Sequence, residues 1–110
     1  MIGLLAAISA AMAVAAGAFA AHGAAGPHEA EWLRTGGTYQ LIHAVAALAI
    51  MGVARRQAIL LLVGAAIFAV TLYAMALGAP HWLGAITPVG GTLLIIGWVW
   101  AACAYWRTGA

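Results

Sequence analysis

The acidic and basic side chains of this chain are few and unevenly placed. Both acidic residues (Glu29, Glu31), Arg34 and three of the four histidines (His22, His28, His43) fall within Gly17–His43, and on either side the chain is almost purely apolar. Charged residues make up 5% of its 110 residues, against roughly 25% in soluble domains. So few charges cannot cover a water-soluble surface of this size, and the bilayer is therefore the solvent for most side chains. The length fits one domain, residues 1–110. The net charge of +2 comes from four arginines and no lysine, too few and too scattered for a nucleic-acid footprint. Cys103 stands alone, which excludes an intrachain disulfide or a thiolate cluster and predicts a buried core thiol.

Ile2 to Ala21 is uncharged and about 30 Å long as a helix, enough to cross the hydrocarbon core. Ala18-Phe19-Ala20 has the small-x-small form of a signal cleavage site. No basic residue precedes the run, however, and it exceeds the usual signal core of about 7–15 residues, so a first membrane helix over about 2–21 is expected. Ser9, Ala13, Gly17 and Ala21 predict a small-residue ridge along it. Gly23, Gly26 and Pro27 end this helix. A short amphipathic surface helix over about 27–35 then follows, with Pro27 in its first turn and Glu29 and Glu31 at the positive end of its dipole. Thr35-Gly36-Gly37 reads as its break. Further apolar runs predict membrane helices over about 38–54, 58–79 and 83–106, with Ala66, Val70, Ala74 and Gly78 as a ridge on the third. The fold class expected is an all-α integral membrane protein, a four-transmembrane-helix bundle with a short amphipathic helix in the first outer loop.

Four spans place the N-terminus, Arg55-Arg56 and Arg107 on one side. The positive-inside rule makes that side cytoplasmic and turns the first loop and the 79–83 turn outward. Gly26–Gly37 (GPHEAEWLRTGG) and Ala79–Gly91 (APHWLGAITPVGG) share Pro-His, Trp-Leu and Gly-Gly in order. Internal duplication and shared turn chemistry both account for that.

Three separated motifs, GAFAAHG (17–23), TYQLIH (38–43) and LGAITPVGGTLLIIGW (83–98), resemble the small membrane-protein family known as domain of unknown function 423. Bacterial members of that family lie in the inner membrane, and mitochondrial relatives exist. The resemblance covers nearly the whole chain. The chain departs from the family pattern at Ala20, where glycine is usual, and at Thr71, where serine is usual. The resemblance implies a four-helix protein of the bacterial inner (plasma) membrane and implies no activity.

Gln40 and His43 share a face of the second helix, and His22 closes the first helix on the same outer side. This set, with Thr71, Tyr73 and His81, is the candidate polar cluster. As a structural clamp it joins helices through hydrogen bonds. As a ligand site it uses His22, His43 and His81 for a metal or a proton, since imidazole titrates near neutrality. The spacing matches no tight metal motif, so no metal, cofactor or catalytic residue is assigned. The expectation is a non-enzymatic structural or accessory bundle, with the lipid bilayer and a homo-oligomer or larger membrane complex as partners. The alternatives are an oligomeric channel or transporter and a metal- or cofactor-binding membrane protein. The featureless inner half of the second span, Ala44–Val53, counts against a polar path through one chain.

Overall fold

The computed structural model describes residues 1–109. It holds α1 (Ile2–His22), α2 (Pro27–Ile50), α3 (Arg55–Ala76), a 3-10 turn (His81–Ala85) and α4 (Thr87–Thr108). The helices stand in series. α1 packs along α2, α2 along α3 and α3 along α4, while α1 meets α3 only sparsely. The molecule measures 48 × 25 × 20 Å. Among the described residues, three stretches are long and apolar enough to cross a membrane, namely Ile2–His22, Arg55–Ala76 and His81–Thr108. α2, which carries Glu29, Glu31, Arg34, Gln40 and His43, is not among them.

Size is distributed opposite to the pattern of a water-soluble protein, where large apolar residues fill the core. Ala6, Ala44, Ala47, Ala58, Ala65 and Ala69 are fully buried, while Leu4, Ile8, Val14, Ile95, Ile96 and Val99 point outward. Lipid tails are as apolar as leucine, so burying a large side chain gains little in a bilayer. Small residues let backbones approach and collect dispersion contacts instead.

The expected break at Thr35-Gly36-Gly37 is absent. The short helix over 27–35 and the span from 38 are one helix of 24 residues. Glycine costs about 1 kcal/mol relative to alanine in a helix interior, and here packing offsets that cost. A Cβ at Gly36 would lie 2.8 Å from Cε1 of Tyr73 on α3, and one at Gly37 would lie 3.1 Å from the Ala13 carbonyl oxygen on α1. The two glycines, successive around the helix, let α2 approach both neighbours at one level. α3 and α4 meet in the same manner, since a Cβ at Gly90 would lie 2.5 Å from the Phe68 nitrogen and 2.7 Å from the Gly64 oxygen. The Gly-Gly pairs of the two similar segments thus both mark helix crossings.

The expected ridges coincide with the packed faces only in part, since Ala13 is buried against α2 whereas Gly17 and Ala21 are exposed. α1 buries Ile2, Ala6, Ala13, Ala16 and Ala20, and Ala21 is exposed. On α3, Ala66 and Val70 are exposed, while Ala58, Ala65, Ala69 and Ala76 pack inward. Alanine occurs on every face of these helices, so small-residue spacing alone does not select the packed one. Cys103 is exposed rather than buried, because α4 packs through Gly90, Leu94, Gly97 and Ala101.

Helix ends also shift from the expected bounds. α2 ends at Ile50, and the Met51–Ala54 turn leads directly into Arg55 as the first residue of α3. α3 ends at Ala76 in a Schellman closure. Ala79 N–H bonds the Ala74 carbonyl at 2.9 Å and Gly78 N–H bonds that of Met75 at 3.1 Å. Gly78 takes φ +103° there, which a side chain disfavours. The segment 83–86 is then spent on the 3-10 turn and its exit, and Pro88 sits in the first turn of α4, where its missing N–H costs nothing.

The glycine crossing makes a clear prediction. Gly90→Ala pushes a methyl group into the α3 backbone and is expected to lower stability in detergent by about 1–3 kcal/mol. Gly91→Ala, whose nearest neighbour is the Phe68 ring at 3.8 Å, should leave the thermal midpoint nearly unchanged.

Candidate functional site

Three polar contacts join the helices at different places. Gln40, 1% exposed, is among the largest fully buried side chains. The Tyr73 hydroxyl donates to its Oε1 at 2.7 Å. The Tyr73 ring lies against Gly36, one turn earlier on α2. Gly36 and Gln40 therefore form one receptacle, space for the ring and an acceptor for its hydroxyl. This contact fastens α2 to α3.

His43 fastens α2 to α4. Its Nδ1 lies 2.6 Å from the Tyr39 carbonyl oxygen, and Trp98 Nε1–H donates to its Nε2 at 3.0 Å. Indole nitrogen only donates and a carbonyl only accepts, so the network assigns a neutral imidazole with its proton on Nδ1. The Tyr39 ring lies nearly parallel to the imidazole, 6° apart in plane, and its centroid is 4.7 Å from that of Phe68. Both ring nitrogens of His43 are thereby engaged.

Thr71 and Thr87 fasten α3 to α4, with hydroxyl oxygens 2.7 Å apart. Thr71 Oγ1 donates back to the Ile67 or Phe68 carbonyl, at 2.9 and 3.0 Å. Its lone pair is left for the Thr87 proton. Among the described residues, no buried side-chain nitrogen or oxygen lacks a hydrogen-bond partner.

The six residues expected to cluster are thus divided. Gln40 joins Tyr73, while His43 and Thr71 find partners on α4. His22 is exposed at the end of α1. His81 stands in the 3-10 turn, its ring edge-on to Trp32 with centroids 5.3 Å apart. The continuity of α2 is what parts His22 from His43. His43 lies sixteen residues beyond Pro27, about 24 Å along the axis, while the 23–26 turn keeps His22 level with the start of α2. No group of three or more His, Cys, Asp or Glu side chains able to hold a metal occurs among the described residues.

The sequence reading leaves out Trp98 and Tyr39, the partners of His43. The available signal is the position of Trp98 two turns after Gly90, near the packed face of α4. Beside this contact, α2 and α4 leave a groove of about 730 Å³ floored by Phe68 and lined by Tyr39, His43, Gly91, Ile95 and Trp98.

A double-mutant cycle between His43→Ala and Trp98→Phe is expected to give a coupling of about 0.6–1.7 kcal/mol in thermal unfolding in detergent. The pair His22→Ala and His43→Ala should be additive, because His22, at the end of α1, stands level with the start of α2 and His43 lies about 24 Å further along that helix.

Residues 16–91 match the family described as Protein of unknown function (DUF423). The chain is 41% identical over 105 residues to a UPF0382 membrane protein of Haemophilus influenzae, covering 86% of this chain and 85% of the relative. It is 39% identical over 106 residues to a UPF0382 membrane protein of Staphylococcus saprophyticus, covering 87% and 88%. It is 34% identical over 106 residues to the UPF0382 inner membrane protein YgdD of Escherichia coli, covering 86% and 81%. No solved structure matches the chain. With its inverted size distribution and apolar helices, the chain belongs to the DUF423 family of membrane proteins, to which these relatives attach no specific function.

Proposed function

We propose that this chain is a non-enzymatic structural or accessory protein of the bacterial inner membrane, which self-associates or joins a larger membrane complex. The observation that carries this reading is that, among the described residues, no fully buried side-chain nitrogen or oxygen is left without a hydrogen-bond partner. Catalytic and transport sites hold polar groups ready for a substrate. Here Gln40, His43, Thr71, Tyr73, Thr87 and Trp98 are occupied in joining helices. The outward apolar residues of α1 and α4 suit contact with lipid or with another apolar helix equally well.

In this reading α2 is the fourth span. Its 24 residues extend about 36 Å as helix, its polar first turns reach the interface, and Gln40 and His43 face protein rather than lipid. Arg55, Arg56 and Arg107 lie on the cytoplasmic side with both termini, and the 23–26 and 77–80 turns face outward. The name of the Escherichia coli relative, an inner membrane protein, supports the location.

Gentle extraction followed by mass and elemental analysis tests this function. A metal-free homo-oligomer, or a stoichiometric complex with a larger protein, is expected. A monomer alone, or a stoichiometric metal, overturns the reading. A reporter fused after Ala110 should read as cytoplasmic, and an external signal overturns the orientation.

A further inference from the structure

Arg34 is the one arginine that the proposed orientation places on the outer side, where the positive-inside rule does not favour it. Its Nη1 lies 3.8 Å from Oε2 of Glu31, with the two side chains 58% and 71% exposed. An exposed pair this long contributes little stability, so fastening the helix does not account for it. Arg34 lines a groove of about 260 Å³ between α1 and α2, together with Ala13, Val14, Gly17, Thr38 and Leu41, and Glu31 stands one turn before it on α2. Two glycines create this groove. Gly37 brings the α2 backbone onto the Ala13 carbonyl, and a Cβ at Gly17 would meet nothing within 4 Å.

We infer that this groove binds one phospholipid bearing a primary ammonium head group. Its phosphate lies against the Arg34 guanidinium and the Thr38 hydroxyl, its ammonium against the Glu31 carboxylate, and one acyl chain runs along Val14, Gly17 and Leu41. The argument is charge complementarity. A guanidinium and a carboxylate one helical turn apart present the two signs that a phosphate and an ammonium joined by a two-carbon arm present in return. Guanidinium matches phosphate oxygens in a fork, and the ammonium brings three donors to a carboxylate that only accepts. A purely anionic lipid would leave Glu31 facing negative charge. A choline head group has no N–H to donate. The apolar lining below the pair selects a lipid over a free head group.

The inference rests on α2 crossing the membrane, since only then does Arg34 stand at head-group level. The test is retention of added lipid by the purified full chain in detergent, read by native mass spectrometry, with phosphatidylethanolamine, phosphatidylglycerol and phosphatidylcholine supplied equally. The expected result is about tenfold preference for phosphatidylethanolamine. Arg34→Gln should abolish retention. Glu31→Gln should shift the preference to phosphatidylglycerol. Gly17→Leu, which fills the groove but leaves both charges in place, should also abolish retention. These three positions are exposed, and unchanged thermal midpoints will show that each variant folds. Equal retention of the three lipids, or undiminished retention by Gly17→Leu, overturns the site. Inorganic phosphate or phosphoethanolamine competing as well as the lipid overturns the acyl part. Failed retention together with a cytoplasmic C-terminal reporter rejects this site alone, whereas an external reporter rejects the topology itself.

Discussion

Backbone contact between helices organises this protein. Where α4 crosses α3, Gly90 stands so close to Phe68 and Gly64 that no side chain fits. Where α2 lies between α1 and α3, Gly37 and Gly36 provide the same closeness in two directions. In a bilayer the hydrophobic effect does not draw apolar helices together, so cohesion must come from dispersion at short range and from hydrogen bonds. Only helices with small residues at the crossing can approach closely enough. The burial of alanine and glycine and the outward display of leucine, isoleucine and valine follow from that one requirement.

The polar contacts depend on those crossings. Tyr73 can reach Gln40 because Gly36 leaves space for its ring. Thr71 and Thr87 meet across the α3–α4 crossing that Gly64 and Gly90 permit. Each such bond is worth little by itself, roughly 0.6 kcal/mol in a membrane. An unpaired polar group left there would cost more, so the pairs act chiefly against wrong rotations of one helix about another. Three pairs spread over α2, α3 and α4 specify one arrangement where the apolar faces alone would tolerate several.

α1 is held differently from the other helices. Ser9 is its one polar residue before His22, and its buried face is a run of alanines behind Ile2. Shape complementarity to α2 therefore secures it. The same close approach, beside the open position at Gly17, leaves the groove that Arg34 overlooks. A helix fastened by polar pairs on its flank would have filled that space with side chains.

The membrane class, the all-helical character and the approximate course of α1, α3 and α4 were legible from the apolar runs and their lengths, because hydrocarbon thickness and backbone hydrogen bonding restrict what such runs can form. Family membership was legible from motifs spread along the chain. That Gln40, His43, Thr71 and Tyr73 need polar partners was legible too, since polar residues in apolar helices are costly unless paired. Their partners were not. Gly36-Gly37 has the local chemistry of a break, and only contact with Tyr73 and Ala13 makes it part of a helix. That continuity moved His43 away from His22 and toward Trp98. Composition and local spacing by themselves determined that this chain inserts as apolar helices. The tertiary structure decided which faces meet and which polar groups pair, because alanine on every side of a helix leaves its rotation undetermined until a neighbouring backbone arrives.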